Sequence, residues 1–172
     1  MADRPHCDAG EVAAWFSGRV PDGWFIGPLD VQFDRDEILV IGPLGEPANG
    51  PEDEHPKVVA AQARIDGFRE DTRQARMRIA GAAEQRWQRH VAWGVRCGPV
   101  EQVFTHAAVP VMTRLRFAER KVLDTLIDAG VARSRSEAMA WCVTQVGQHQ
   151  AEWIDRLRDA IEEVERIRNQ GP

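Results

Sequence analysis

Between Val111 and Val146 the chain compresses one strand pattern and two short helix patterns into a stretch too small to enclose a core. Val111-Met112-Thr113-Arg114-Leu115-Arg116-Phe117 alternates: Met112, Arg114 and Arg116 share one face, and Val111, Thr113, Leu115 and Phe117 the other. Pro110 precedes it, at a strand start where a missing N–H is tolerated. A helix is expected over Glu119–Ala129, with Val122, Leu123, Leu126 and Ile127 as its apolar stripe and Gly130 as its stop. After Val131-Ala132-Arg133, Ser134-Arg135-Ser136-Glu137 has the form of a capping box, with Ser134 as cap and Glu137 reaching back. Met139, Cys142, Val143 and Val146 then recur at i, i+3, i+4 and i+7, so a second helix follows. Roughly 35 residues cannot bury these faces unaided. The segment therefore needs a second copy or another part of the chain.

This order of strand, helix, glycine turn and Ser-Arg-Ser-Glu helix start resembles the ribbon-helix-helix repressors, the Arc- and MetJ-like family of bacterial type. Members of that family read DNA with a two-stranded β-ribbon. The resemblance implies a homodimer whose strands pair antiparallel. It implies a dimer core of Leu115, Phe117, Val122, Leu126, Met139 and Val143. Met112, Arg114 and Arg116 would then face base edges in the major groove of double-stranded DNA, where a bidentate arginine–guanine pair discriminates by about 1–3 kcal/mol. Arg133, Ser134, Arg135 and Ser136 would meet a phosphate at the N-terminus of the second helix. The function implied is sequence-specific transcriptional regulation, in particular repression. The other reading is a dimerisation or protein-interaction module without DNA binding. Antitoxins, which join such a module to a disordered toxin-wrapping segment, fit less well, because the preceding residues read as folded. Those residues resemble uncharacterised actinobacterial proteins.

The first hundred residues have their own order. Asp8 is placed to cap a short helix through Glu11, Val12, Trp15 and Phe16, stopped at Gly18. Leu29, Val31 and Phe33 alternate with Asp30, Gln32 and Asp34, and Arg35-Asp36 turns the chain into Ile38–Ile41, a hairpin or meander. Gly42 to Pro56 reads as an acidic loop rich in proline and glycine. Lys57 to about His90 reads as one long helix, with Ile65, Phe68, Thr72, Ala75, Ile79 and Ala82 on one side and seven arginines about it. Val91, Trp93, Val95 and Cys97 alternate with Ala92, Gly94 and Arg96, and beyond Gly98-Pro99 the run Val100–Thr105 can pair back. Glu152 to Arg168 reads as a last helix striped by Ile154, Leu157, Ile161 and Val164. Glu152–Arg156 and Glu162–Arg166 are candidate i,i+4 pairs on it. That stripe calls for a cover, either the arginine-rich helix or a partner copy. The fold class expected is α+β and helix-rich, divided into residues 1–105 and 106–172.

Charge limits the partners. The net charge of −5 argues against indiscriminate binding to nucleic acid. It is uneven: residues 1–56 hold three basic and twelve acidic side chains, and residues 57–100 nine and four. The acidic N-terminal region suits a protein partner. The arginines of residues 64–89 are expected on a solvated helix face, neutralised by Glu70, Asp71 and Glu84 or by the acidic region, rather than on a second nucleic-acid surface. Cys7, Cys97 and Cys142 lie far apart with no CxxC, so neither a disulfide framework nor a zinc site is expected. His6-Cys7-Asp8 lacks the four-ligand spacing of a metal centre, and neither cofactor nor membrane is implied. No phosphate-binding or nucleophile motif occurs, so an enzyme is not expected; a pocket around Trp93, Cys97 and His106 would reverse that. The six tryptophans are expected in the core and at interfaces. No secretory signal or spanning segment is read, and the expected compartment is the cytoplasm.

Overall fold

A computed structural model describes residues 8–47, 50–51, 53–105 and 107–170. It is α+β and rich in helix. The chain divides into two compact units, Met1–Pro110 and Val111–Pro172. His6, Cys7 and His106 lie outside the described residues.

Unit 1 runs α1 (Ala9–Arg19), β1 (Asp30–Phe33), β2 (Glu37–Pro43), α2 (Glu54–Asp71), α3 (Arg73–Trp87), β3 (His90–Cys97) and β4 (Val100–Val103). Asp8 caps α1 as expected, its carboxylate accepting from the Glu11 N–H at 2.9 Å. Gly18 lies inside the helix rather than stopping it, and the chain leaves helix after Arg19, just before Pro21. The strands form one sheet in the order β1-β2-β3-β4. The β1–β2 hairpin and the β3–β4 pair are antiparallel, whereas β2 and β3 run parallel. The helices α2 and α3 make the crossover that a parallel pair requires.

Being central, β3 is buried on both faces: Ala92 and Gly94 are as hidden as Val91, Trp93 and Val95. The alternation read from its sequence is therefore a size alternation, large on one face and small on the other. A Cβ at Gly94 would lie 3.2 Å from Ile41 and 3.3 Å from Val103, its cross-strand neighbours, whose side chains close over the small face from both sides. On the large face, Val91 and Trp93 join Val12, Phe16, Ile38, Val40, Ile79 and Trp87 in one core, while Val95 and Cys97 join Leu44, Ala61 and Ile65 in another. The acidic loop is shorter than its composition implied. Gly42 and Pro43 belong to β2, and α2 starts at Glu54 because proline, here Pro56, is tolerated in a first helical turn. At Gly42 an added Cβ would lie 2.3 Å from the Phe25 ring, so only glycine lets that ring cross the strand.

The long helix is two helices, interrupted at Thr72. The Thr72 hydroxyl donates to the Phe68 carbonyl at 2.6 Å and accepts from Arg76 Nε at 2.9 Å. Arg76 Nη2 donates to the Arg69 carbonyl at 2.7 Å, and its guanidinium lies 4.6 Å from the Phe104 ring centroid. Only 8% exposed, Arg76 is therefore not on a solvated face. It staples the end of α2 to the start of α3. Burial, followed by the neighbouring Arg69 and Arg73, pulls its pKa down from the usual guanidinium range. Of the expected neutralising contacts, the one from the acidic N-terminal region forms, Arg86 pairing with Glu11 at 2.5 Å, whereas Glu84 faces His90 Nδ1 at 3.0 Å instead of an arginine.

The β1–β2 turn yields a pH prediction. Asp34 accepts the N–H groups of Asp36 and Glu37, each at 2.8 Å. The Asp36 bond is the largest cause holding its carboxyl below the usual range, with burial opposing and the Glu37 bond and Arg89 assisting. A depressed folded pKa contributes stability above the unfolded pKa of about 3.9 that is lost as pH falls through the folded value. Asp34→Asn keeps an acceptor oxygen but removes the charge. Urea unfolding should show wild type more stable than the variant at pH 7, with the gap narrowing steadily below about pH 4; a pH-independent gap would sink the linkage.

Unit 2 comprises α4 (Phe117–Asp128), α5 (Arg135–His149) and α6 (Ala151–Gln170). Its buried apolar side chains are Leu123, Ala132 and Ala138, with Leu115, Leu126, Met139 and Cys142 half-buried around them. No described helix is long and apolar enough to cross a membrane.

Candidate nucleic-acid interface

The segment that was expected to be a strand is extended but unpaired. A strand needs a hydrogen-bonded neighbour, and residues 111–116 have none among the described residues. The expected end at Phe117 is corrected: Phe117 opens α4, two residues earlier than read, because the Glu119 carboxylate accepts the Arg116 N–H and ends the extended segment there. The expected alternation is not kept: Val111 and Thr113, read as facing inward, are exposed, Val111 to 87%. Leu115 turns inward and is half-buried, while Met112, Arg114 and Arg116 are exposed, Met112 to 97%.

The turn between α4 and α5 follows from its residues. Gly130 takes φ +75°, donates to the Ile127 carbonyl at 2.9 Å, and sets Val131 to donate to Leu126 at 3.0 Å, a Schellman stop. Ser134 Oγ accepts the Glu137 N–H at 3.2 Å. Glu137 reaches back one residue further than a capping box predicts, to the Arg133 N–H at 2.7 Å. The N–H groups of Arg135 and Ser136 stand in the first turn of α5, where a helix offers no acceptor of its own. Arg133, Ser134 and Ser136 are exposed around them.

Arg135 is brought elsewhere. Its Nε and Nη2 donate to Asp124 at 2.7 and 2.8 Å, a bidentate clamp that ties α5 to α4. The hydrogen bond from Arg135 is the main cause holding the Asp124 carboxyl below the usual range, and the same bond pushes Arg135 up. Sequence reasoning missed Asp124, because eleven residues separate the partners and no local spacing rule joins them.

The six candidate dimer-core residues divide in two. Leu115, Leu126 and Met139 are half-buried within the chain. Phe117 (74%), Val122 (55%) and Val143 (65%) are exposed, with Val146 and Trp141 beside them in the sequence of α5. Of eighteen exposed large apolar side chains among the described residues, thirteen lie in unit 2, so this unit by itself leaves much of its apolar surface uncovered. Among the described residues no group of three metal-ligating side chains converges. Trp93 and Cys97 are enclosed in separate cores, and burial pushes the Cys97 thiol up.

Residues 10–103 match the family described as Rv1265-like protein, N-terminal domain. The chain belongs to the Rv1265-like family. Residues 116–168 match a second description, the Mb1296 C-terminal domain, which takes in α4, α5 and most of α6. Over 165 residues the chain is 52% identical to "Uncharacterized protein Rv1265" of Mycobacterium tuberculosis strain H37Rv, spanning 96% of this chain and 72% of that one. The same identity and coverage hold for "Uncharacterized protein Mb1296" of Mycobacterium bovis. No solved structure matches this member of the Rv1265-like family. The match to the N-terminal domain ends at Val103, the last residue of β4, and the match to the C-terminal domain begins at Arg116. The candidate ribbon, residues 111–116, therefore lies almost wholly between the two matched regions.

Proposed function

We propose that this chain is a homodimeric, sequence-specific DNA-binding regulator of ribbon-helix-helix type, acting as a repressor. One observation carries the reading. An extended, unpaired segment with Arg114 and Arg116 outward leads into two helices, and the apolar residues Phe117, Val122 and Val143 on those helices stay uncovered in one chain. Pairing residues 111–116 with the same segment of a second copy satisfies the unpaired backbone and covers those side chains. Met112, Arg114 and Arg116 then line one face of a ribbon of a size the major groove admits. The start of α5 supplies free N–H groups for a phosphate. Of the four residues expected there, Arg133, Ser134 and Ser136 serve it, while Arg135 is held by Asp124.

The acidic balance of the chain and the Asp124 clamp on Arg135 favour a second reading, a dimerising interaction module without DNA binding. Selection from random duplex pools at two salt concentrations separates the two. For the regulator, wild type enriches a palindrome, and Arg114→Ala/Arg116→Ala loses it while staying dimeric. Loss of one bidentate contact in each of the two half-sites, about 2–6 kcal/mol together, weakens binding by at least roughly thirtyfold. An intact dimer that enriches nothing at low salt leaves the interaction module.

A further inference from the structure

The ion pairs of unit 2 among the described residues are of two kinds. Arg158–Asp155 and Arg166–Glu163 are i,i+3 pairs along α6, in place of the i,i+4 pairs read from the sequence, and each stays on one helix. Arg135–Asp124 spans eleven positions and joins α5 to α4. It engages both carboxylate oxygens, Oδ1 at 2.7 Å and Oδ2 at 2.8 Å, so the guanidinium is fixed in direction as well as in place.

Arg135 is the first residue of α5, directly after the cap Ser134. Side chains on a helix lean toward its N-terminus. An arginine at this position therefore reaches, by default, past the helix start, where free N–H groups favour an anion. Asp124 draws it to α4 instead. The charges about the start of α5 then cancel: Arg133 and Arg135 stand against Asp124 and Glu137, which accepts the Arg133 N–H. Two carboxylates beside a helix N-terminus already use its dipole and repel an incoming phosphate.

We infer that Asp124 sets the DNA affinity of this protein by withholding Arg135 from the phosphate backbone. The inference rests on the regulator reading above and specifies how its phosphate contact is regulated. The clamp cancels a positive charge that would bind any duplex, while Arg114 and Arg116, on a separate segment, keep the contacts that carry sequence. Affinity for arbitrary DNA is held low without loss of base reading, which suits a chain with a net charge of −5.

Fluorescence anisotropy with the full-length chain tests it, on the duplex enriched from the random pool and on a scrambled duplex of equal length. Asp124→Ala frees one arginine per half-site. Two added phosphate contacts per dimer steepen the salt dependence by about 1.8 in log Kd against log salt. The variant therefore binds both duplexes at least about tenfold tighter than wild type at about 50 mM salt, and loses about tenfold of that advantage by about 200 mM. The ratio of its affinities for the two duplexes stays as in wild type, because a phosphate contact carries no sequence information. Asp124→Ala/Arg135→Gln removes the whole pair, keeps the net charge, and binds like wild type at both salt concentrations. Both variants lack the tie between α4 and α5, so a merely structural clamp would move them alike and overturn the inference. Weaker binding by the double variant, with a shallower salt slope, would mean that Arg135 already meets phosphate in wild type and overturns it too, as does Asp124→Ala binding no tighter than wild type. In each of these cases a palindrome enriched by wild type leaves the regulator reading standing. A wild type that enriches nothing at low salt removes both.

Discussion

Trp87→Ala is expected to lower the unfolding free energy of unit 1 by about 3–5 kcal/mol, the range for removing a large aromatic side chain from a core. Trp87 is 2% exposed at the last position of α3. Its ring stacks on Phe16 with centroids 6.1 Å apart and meets Trp15 edge-on at 5.1 Å. It thus joins α1 to the crossover, and the cavity left by alanine is lined by side chains from two helices and the sheet. Against a typical domain stability of about 5–15 kcal/mol, the loss is large. Urea unfolding followed by far-UV circular dichroism measures it. A loss below about 1 kcal/mol, as at a surface position, would mean that this aromatic cluster does not hold the unit together.

Val143→Asp is expected to disrupt the proposed dimer. In a single chain Val143 is 65% exposed, so aspartate there should change stability by no more than about 0.5 kcal/mol. In the dimer each substitution buries an unpaired carboxylate, and the two-fold symmetry places two of them in one interface. The dissociation constant should rise at least about a hundredfold, measured by sedimentation equilibrium. Thr144→Asp, exposed on the neighbouring face of α5, should leave the association unchanged. Equal behaviour of the two variants would remove the support that the exposed side chains lend to the dimer.

Much of the fold was legible where local chemistry decides. The Asp8 cap, the Asp34 turn of the β1–β2 hairpin, the Gly130 stop and the Ser134 helix start each depend on residues within four or five positions of one another. What sequence reading missed was of longer range. Thr72 resembles an ordinary member of the apolar row, yet it ends α2, because Arg76 reaches back to it and to the Arg69 carbonyl. The arginine row looked uniform, but Phe104 from beyond β4 gives Arg76 a ring to lie against. Within the candidate site, alternation placed Arg114 and Arg116 outward and Leu115 inward, but it also turned Val111 and Thr113 inward, and both are exposed. The diversion of Arg135 to Asp124 was not legible, since only the packing of α5 on α4 brings them within 2.7 Å.

Local sequence sets the order and type of most elements, the caps that begin and end them, and the amphipathic faces of α4, α5 and α6. These follow from backbone hydrogen bonding and side-chain periodicity, which act over a few residues. Packing sets the rest: that β2 and β3 run parallel, that both faces of β3 are buried, that Arg76 is inside, and which apolar faces unit 2 leaves uncovered. Each of these depends on which surfaces meet, and local periodicity records that a face is apolar without recording what it packs against.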